Sequence, residues 1–285
     1  MKVKLSGLTW MYNPYSLERA FAGIAGAGYN YVSFGLHHEG VEQPDESDAQ
    51  AARKVRTLLE RYGLKPVTFV CTKQFAPGQP MERAIQRLDV AQELGFEELL
   101  TLGTWGYREF PHDPLSPAEL DERNEAFAEK IARIAEEAGR RGLIVTLKPH
   151  TGNTATSAHL RETIARIGSP YVKASYDPGN VHYYEGIDSA EDFPAIARDT
   201  VSFVAKDHVG PRGNNSFPCP GAGDVNFPSL FQTLYETGFT GPVIVERADI
   251  ELDIPLGAEH ADRRMEIVRT ELERMLKAAG YEGLL

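Results

Sequence analysis

The feature that most constrains this chain is a recurring junction, in which a helix-like segment is closed by glycine and followed at once by an apolar run. Gly28-Tyr29, Gly63-Leu64, Gly95-Phe96, Gly142-Leu143 and Gly238-Phe239 all have this form. A glycine just past a helix end takes the left-handed conformation at little cost and turns the chain back. Short apolar runs separated by helices read as parallel strands, because parallel neighbours need a crossover of helix length. The pattern predicts strands at residues 2–11, 29–36, 64–71, within 96–105, at 143–147, 172–176, 201–206 and 242–246. It predicts helices at 16–27, 48–62, 81–94, 116–141, 157–167, from 188 onward, at 229–237 and at 257–279. The start at Ser116-Pro117-Ala118-Glu119 is the firmest, with a capping serine, a first-turn proline and a glutamate three residues on.

Eight strand-then-helix units in 285 residues predict an α/β fold, a single (β/α)8 TIM barrel occupying residues 1–285 as one domain. An open doubly wound sheet is the alternative, but no GxGxxG fingerprint follows the first strand. The formal net charge of −11 argues against a nucleic-acid partner, whose recognition rests on clustered Lys and Arg. Two distant cysteines, Cys71 and Cys219, offer neither a disulfide framework nor metal-type spacing. The sequence enters its first strand without a charged-then-apolar leader, and no apolar run approaches a membrane span. The expectation is a soluble, cytoplasmic protein with no membrane partner.

The most informative stretch is LIVTLKPHTG, residues 143–152. Its apolar run suits a buried parallel strand, and alternation puts Thr146, Lys148 and His150 on one face. An ionisable side chain there is costly unless paired or functional. A salt bridge alone is the plain reading of Lys148. In barrels of this kind, reactive groups come from the carboxyl ends of several strands. That rule gathers Trp10, His37, Trp105, Lys148, His150, Asp177, Lys206, His208 and Glu246, with His182 shortly after the sixth strand. Trp10 and Trp105 suit sugar walls or plain packing. His37, His150, His182 and His208 suit substrate contacts or proton shuttling, or a bond to a backbone carbonyl. Arg247 follows Glu246 and points away from the barrel axis unless the strand has ended. The Gly/Pro-rich segment 210–226 reads as a lid or an oligomer contact.

Tyr176-Asp177-Pro178-Gly179-Asn180, Ala205-Lys206-Asp207, the run Pro220-Gly221-Ala222-Gly223-Asp224-Val225-Asn226-Phe227, and Gly241-Pro242-Val243-Ile244-Val245-Glu246 resemble the sugar phosphate isomerase/epimerase family. That family lies within the xylose-isomerase-like barrel superfamily. The resemblance follows the strand order over essentially the whole chain. It implies a carbohydrate substrate, a homo-oligomer of two or four chains, and a divalent metal (Mn, Mg, Co or Zn). The family's metal is held by a strand-five glutamate, a strand-six aspartate, a strand-seven histidine and a strand-eight glutamate. Asp177 and Glu246 match the second and fourth positions; Lys148 and Val204 stand where the first and third should be.

Two site chemistries follow. In one, Lys148 projects between Asp177 and Glu246 and its ammonium supplies the charge of the metal, with Lys206 on a substrate oxygen. In the other, a metal keeps a rearranged shell of His150, Asp177, His208 and Glu246. The expected activity is proton abstraction beside a sugar carbonyl, giving isomerisation or epimerisation through an enediolate. Elimination from a keto-sugar, or decarboxylation of a keto-sugar acid, on the same site is the runner-up. A Schiff base on Lys148 ranks lower, because it needs a depressed lysine pKa that two carboxylates oppose. A non-catalytic sugar-binding barrel is the remaining reading.

Overall fold

A computed structural model of the chain describes residues 1–248 and 257–285. Eight parallel strands form the sheet: β1 (Lys2–Leu8), β2 (Tyr31–Phe34), β3 (Lys65–Val70), β4 (Glu98–Leu102), β5 (Ile144–Lys148), β6 (Val172–Tyr176), β7 (Thr200–Ala205) and β8 (Pro242–Val245). They pair in sequence order, and β8 returns to β1 with Lys4 opposite Pro242 and Gly7 opposite Val245. The sheet is therefore a closed (β/α)8 TIM barrel, and closure removes the edges that an open sheet would expose. A ninth strand, β9 (Gly283–Leu284), pairs with the start of β1.

The helices are α1 (Leu17–Gly26), α2 (Ala51–Tyr62), α3 (Met81–Leu94), α4 (Pro117–Arg140), α5 (Ser157–Ile167), α6 (Pro178–Glu185), α7 (Ser189–Asp192), α8 (Phe227–Glu236) and α9 (Ala258–Ala278). The Ser116 cap forms as a full capping box with Glu119. Gly63 and Gly95 close α2 and α3 at φ of 64° and 80°, the left-handed turn expected of them. The helix expected from Asp188 ends within about a turn, at Phe193-Pro194. Strand eight stops at Val245 and strand one at Leu8, so the ends expected from apolar runs are three residues too long at the first strand and one at the eighth.

The barrel interior is layered. At one level Ser6 and Ser33 hydroxyls pair at 2.9 Å, and buried Glu98 accepts from Thr68 (3.0 Å), Thr146 (2.6 Å) and Ser202 (2.6 Å). Farther along the strands, Leu8, Val204 and Ile244 form an apolar layer. Beyond that, at the carboxyl ends, lie the charges. Between sheet and helices, the aromatic core includes Phe34, Phe69 and Phe96, the last two stacked with centroids 4.5 Å apart. No helix among the described residues is long and apolar enough to cross a membrane.

Candidate active site

Four charged side chains from four successive strand ends meet at the mouth of the barrel. Lys148 closes β5, Asp177 follows β6, Lys206 follows β7 and Glu246 follows β8. Lys148 Nζ lies 2.9 Å from Asp177 Oδ2 and donates to Glu246 Oε2. Lys206 Nζ lies 2.9 Å from Asp177 Oδ2, 2.9 Å from Glu246 Oε1 and 2.6 Å from Asn180 Oδ1. Two ammonium groups and two carboxylates thus form a buried, electroneutral quartet. Lys148, Asp177 and Lys206 are all 5% exposed or less, so water does little to screen them.

Burial opposes charge on Lys148, but Asp177 and Glu246 together outweigh it and hold its pKa above the usual lysine value. Burial likewise opposes the Glu246 charge, and the two ammonium groups overcome it, pulling that pKa well down. Lys206 is shifted the other way: burial, reinforced by the Lys148 charge, outweighs the same carboxylates and lowers its pKa.

Donor counting separates the two lysines. An ammonium has three N–H groups. Lys206 hydrogen-bonds to Glu246 and Asn180 and makes an ion-pair contact with Asp177. Lys148 hydrogen-bonds to Glu246 alone and makes an ion-pair contact with Asp177, so among the described residues it keeps more N–H capacity for a ligand than Lys206 does.

The loop after β6 builds the other side of this arrangement. Asp177 Oδ1 accepts from Asn180 N at 2.9 Å and caps α6, with Pro178 at its first turn. Asn180 Nδ2 donates to Pro149 O at 2.6 Å, which ties the ends of β5 and β6 together. Gly179 permits the packing, since a Cβ there would sit 2.6 Å from the Lys206 carbonyl oxygen. The α6 helix was not foreseen, although Asp177-Pro178 carries the same start signal as Ser116-Pro117.

A cavity of about 280 Å³ opens above the quartet and is lined by Lys148, Lys206 and Glu246. Leu8, Val204 and Ile244 line it from below, and Trp10, His150, Tyr184, Phe217 and Arg247 from its other sides. With the strand ending at Val245, Arg247 turns toward the cavity, where its guanidinium lies 4.2 Å from the Phe217 ring centroid and 5.7 Å from that of Trp10. Trp105 lines an adjoining cavity of about 360 Å³ that shares Thr72 and Leu102 with the first. Its ring packs 5.1 Å from His150 and 6.0 Å from Tyr184.

The other histidines are placed elsewhere. His37 is half exposed on a two-residue hairpin strand, 3.9 Å from Glu42. His182 Nε2 accepts from Ser189 N at 3.1 Å and supports the start of α7. His208 Nε2 donates to Asn214 O at 2.7 Å within the segment that follows β7. None of these three is in the lining of the main cavity.

The metal shell of His150, Asp177, His208 and Glu246 is not assembled: among the described residues no three His, Cys, Asp or Glu side chains converge in a way that could hold a metal ion. The family's own shell is not rebuilt either. Val204 sits in the apolar layer, level with Ile244, one layer below Glu246. The level of Glu246 on β7 is reached by Lys206, whose ammonium stands between the two remaining carboxylates. A divalent ion there would face two cations and only two acidic donors, so these residues do not fit one.

His150 has its pKa lowered to about 3 by burial, and then by the nearby Lys148 and Lys206 charges. Its folded-state pKa is below the unfolded value near 6.5, so the unfolded chain binds the extra proton. Stability contributed by neutral His150 is present above about pH 6.5 and lost as pH falls toward 3. Between pH 7 and 5 this amounts to about 2 kcal/mol. Replacing His150 by Gln should flatten the pH dependence of the urea midpoint over that range; an unaltered slope would show that His150 does not titrate on unfolding.

Residues 21–279 match the family model described as xylose isomerase-like TIM barrel. The chain belongs to the xylose isomerase-like TIM-barrel family. No curated protein sequence matches it. Among solved structures, a xylose isomerase domain protein from Alicyclobacillus acidocaldarius superposes with a TM-score of 0.74 at 20% identity, covering 97% of this chain and 99% of its own. A D-allulose 3-epimerase from Methylomonas sp. gives 0.72 at 18%, covering 96% and 98%. A 3-keto-D-glucoside 4-epimerase from E. coli gives 0.71 at 18%, covering 94% and 100%. At such identities the likeness speaks for the barrel alone. Within the xylose isomerase-like family, this member presents an ion-pair quartet at the strand ends.

Proposed function

We propose that this barrel isomerises or epimerises a keto-sugar by proton transfer beside its carbonyl, with the Lys148 ammonium doing the electrostatic work of a metal. The observation that carries the reading is the Lys148 ammonium at a cavity, hydrogen-bonded to Glu246, ion-paired with Asp177 and with N–H capacity left over. A preorganised cation next to a carbonyl oxygen stabilises the enediolate and acidifies the neighbouring C–H. Glu246 is the one carboxylate in the described cavity lining and takes the proton in this reading. Lys206, hydrogen-bonded to Glu246 and Asn180 and ion-paired with Asp177, positions both carboxylates. The epimerase names among the structural neighbours support the carbohydrate class.

The test is metal content and activity together. The protein would be purified without chelator or metal-affinity tag, loaded with Mn, Co, Zn or Mg, and analysed by elemental mass spectrometry. C–H exchange on a panel of ketoses in deuterium oxide would be followed by NMR. The expected result is exchange that neither chelator nor added metal changes. Near-stoichiometric metal, lost together with activity on Asp177→Asn, would sink the reading.

One observation favours a second reading on the same site. Both Glu246 oxygens accept from lysines, which makes it a weak base. Decarboxylation of a keto-sugar acid needs no such base, since loss of CO₂ supplies the electron pair and Lys148 stabilises the enolate. Carbon dioxide release from a sugar acid, without C–H exchange on neutral ketoses, would decide for it.

A further inference from the structure

Lys148 is one donor group at the cavity, whereas an enediolate oxygen is held best by donors from more than one side chain. The cavity contains another polar pair outside the quartet. Tyr184 Oη and His150 Nε2 are 2.8 Å apart, on side chains that both line the same cavity as Lys148. The two rings pack with centroids 4.3 Å apart. Trp105 closes over both, and Arg212 Nε donates to the Tyr184 carbonyl at 2.5 Å, so the backbone that carries the hydroxyl is held from the far side.

We infer that Tyr184 is the second oxyanion donor of this site, with His150 as its positioning residue in the Nε2–H tautomer. His150 then donates to the phenol oxygen, and the phenol donates to the substrate oxygen beside Lys148. The inference rests on the enediolate reading above. In that step the C–H proton passes to Glu246, the C–H electron pair becomes the C=C bond of the enediolate, and the carbonyl π pair moves onto oxygen. Lys148 and Tyr184 hold that oxyanion by hydrogen bonds; the protonated Glu246 exchanges with solvent, and delivery of the solvent-derived proton to carbon re-forms the carbonyl and completes the exchange. Neither His150 nor Tyr184 changes protonation state.

The surroundings suit this role. A histidine beside two ammonium groups stays neutral, so one ring nitrogen donates while the other accepts. Burial raises the Tyr184 pKa, which keeps the phenol protonated and able to donate. Donors in series polarise one another, so the outermost hydrogen bond gains most when charge develops on the substrate.

The test uses the full chain and the ketose exchange assay. Tyr184→Phe preserves the ring packing and should lower the maximal exchange rate about 10²-fold, with KM changed by only a few-fold. His150→Leu should lower it by a smaller factor, and His150→Gln, whose amide can still donate, should recover most of that loss. Nitrogen-15 NMR of His150 should show Nε2 protonated and a spectrum unchanged between pH 5 and 8. A Tyr184→Phe rate equal to wild type, or a proton on Nδ1 in place of Nε2, would overturn the inference while leaving the enediolate reading standing. If the wild-type chain exchanges no ketose proton, both fall together.

Discussion

Lys148→Met is expected to lose at least about 10²–10³-fold in turnover and also to unfold more easily, by about 3–5 kcal/mol. The two effects have different causes. Turnover falls because the free N–H aimed at the substrate is gone. Stability falls because Asp177 and Glu246 then face one cation, Lys206, in a site where all four groups are largely shielded from water. Removing one partner of a buried ion pair costs more than removing both. The double variant Lys148→Met/Glu246→Gln should therefore regain much of the stability, because one acid again faces one lysine, while turnover stays lost. Urea denaturation and the exchange assay separate the outcomes. If the single variant keeps its turnover, Lys148 is only a structural counter-ion. If the double variant is less stable than Lys148→Met alone, the quartet is not held by charge balance.

The quartet's members could be read from the sequence because each obeys a simple positional rule. Lys148, Lys206 and Glu246 stand where an apolar strand run gives way to a charge, and Asp177 follows a strand and opens a capping sequence. Strand-helix alternation with glycine stops is a local signal, and local signals carry a barrel well, since every unit repeats the same packing problem. The arrangement of the four charges was harder. Alternation places Val204 and Lys206 on one face but does not say which is level with Glu246; only the register of β7 against β8 does.

The parts that could not be read depend on contacts between segments far apart in sequence. His150, His182 and His208 look alike as residues after strands. Only folding puts Tyr184 against the first, Ser189 N on the second and Asn214 O on the third. Tyr184 drew no notice because a tyrosine in YYEG carries no signal until α6 aims it at the cavity. Arg247 hung on one residue of strand length. Glu98 is hidden for the opposite reason: Glu97-Glu98 looks like a solvated strand entrance, yet one of the two is buried among Thr68, Thr146 and Ser202.

The segment after β7 carries Phe217 to the cavity, and Asp207 is the residue that shapes it. Its buried carboxylate accepts from the backbone N–H groups of His208 (2.8 Å), Gly221 (2.8 Å), Gly223 (2.8 Å) and Val225 (3.1 Å). Gly223 allows that approach, since a Cβ there would lie 2.4 Å from Asp207 Oδ1. Hydrogen bonds to a charged acceptor contribute about 1.5–3 kcal/mol each and do not simply add. Asp207→Ala should thus cost about 3–5 kcal/mol, near the upper end for single substitutions, by stranding these donors around a void. Asp207→Asn keeps one carbonyl acceptor and should cost roughly half as much. Because the loop positions Phe217 beneath Arg247, the same change should weaken ligand binding more than it slows the chemical step. Urea midpoints, limited proteolysis within residues 210–226 and the KM against kcat of the exchange reaction report these three effects. Equal stability of Asp207→Ala and Asp207→Asn, with the loop as protease-resistant as in wild type, would mean that the segment is held by its other contacts.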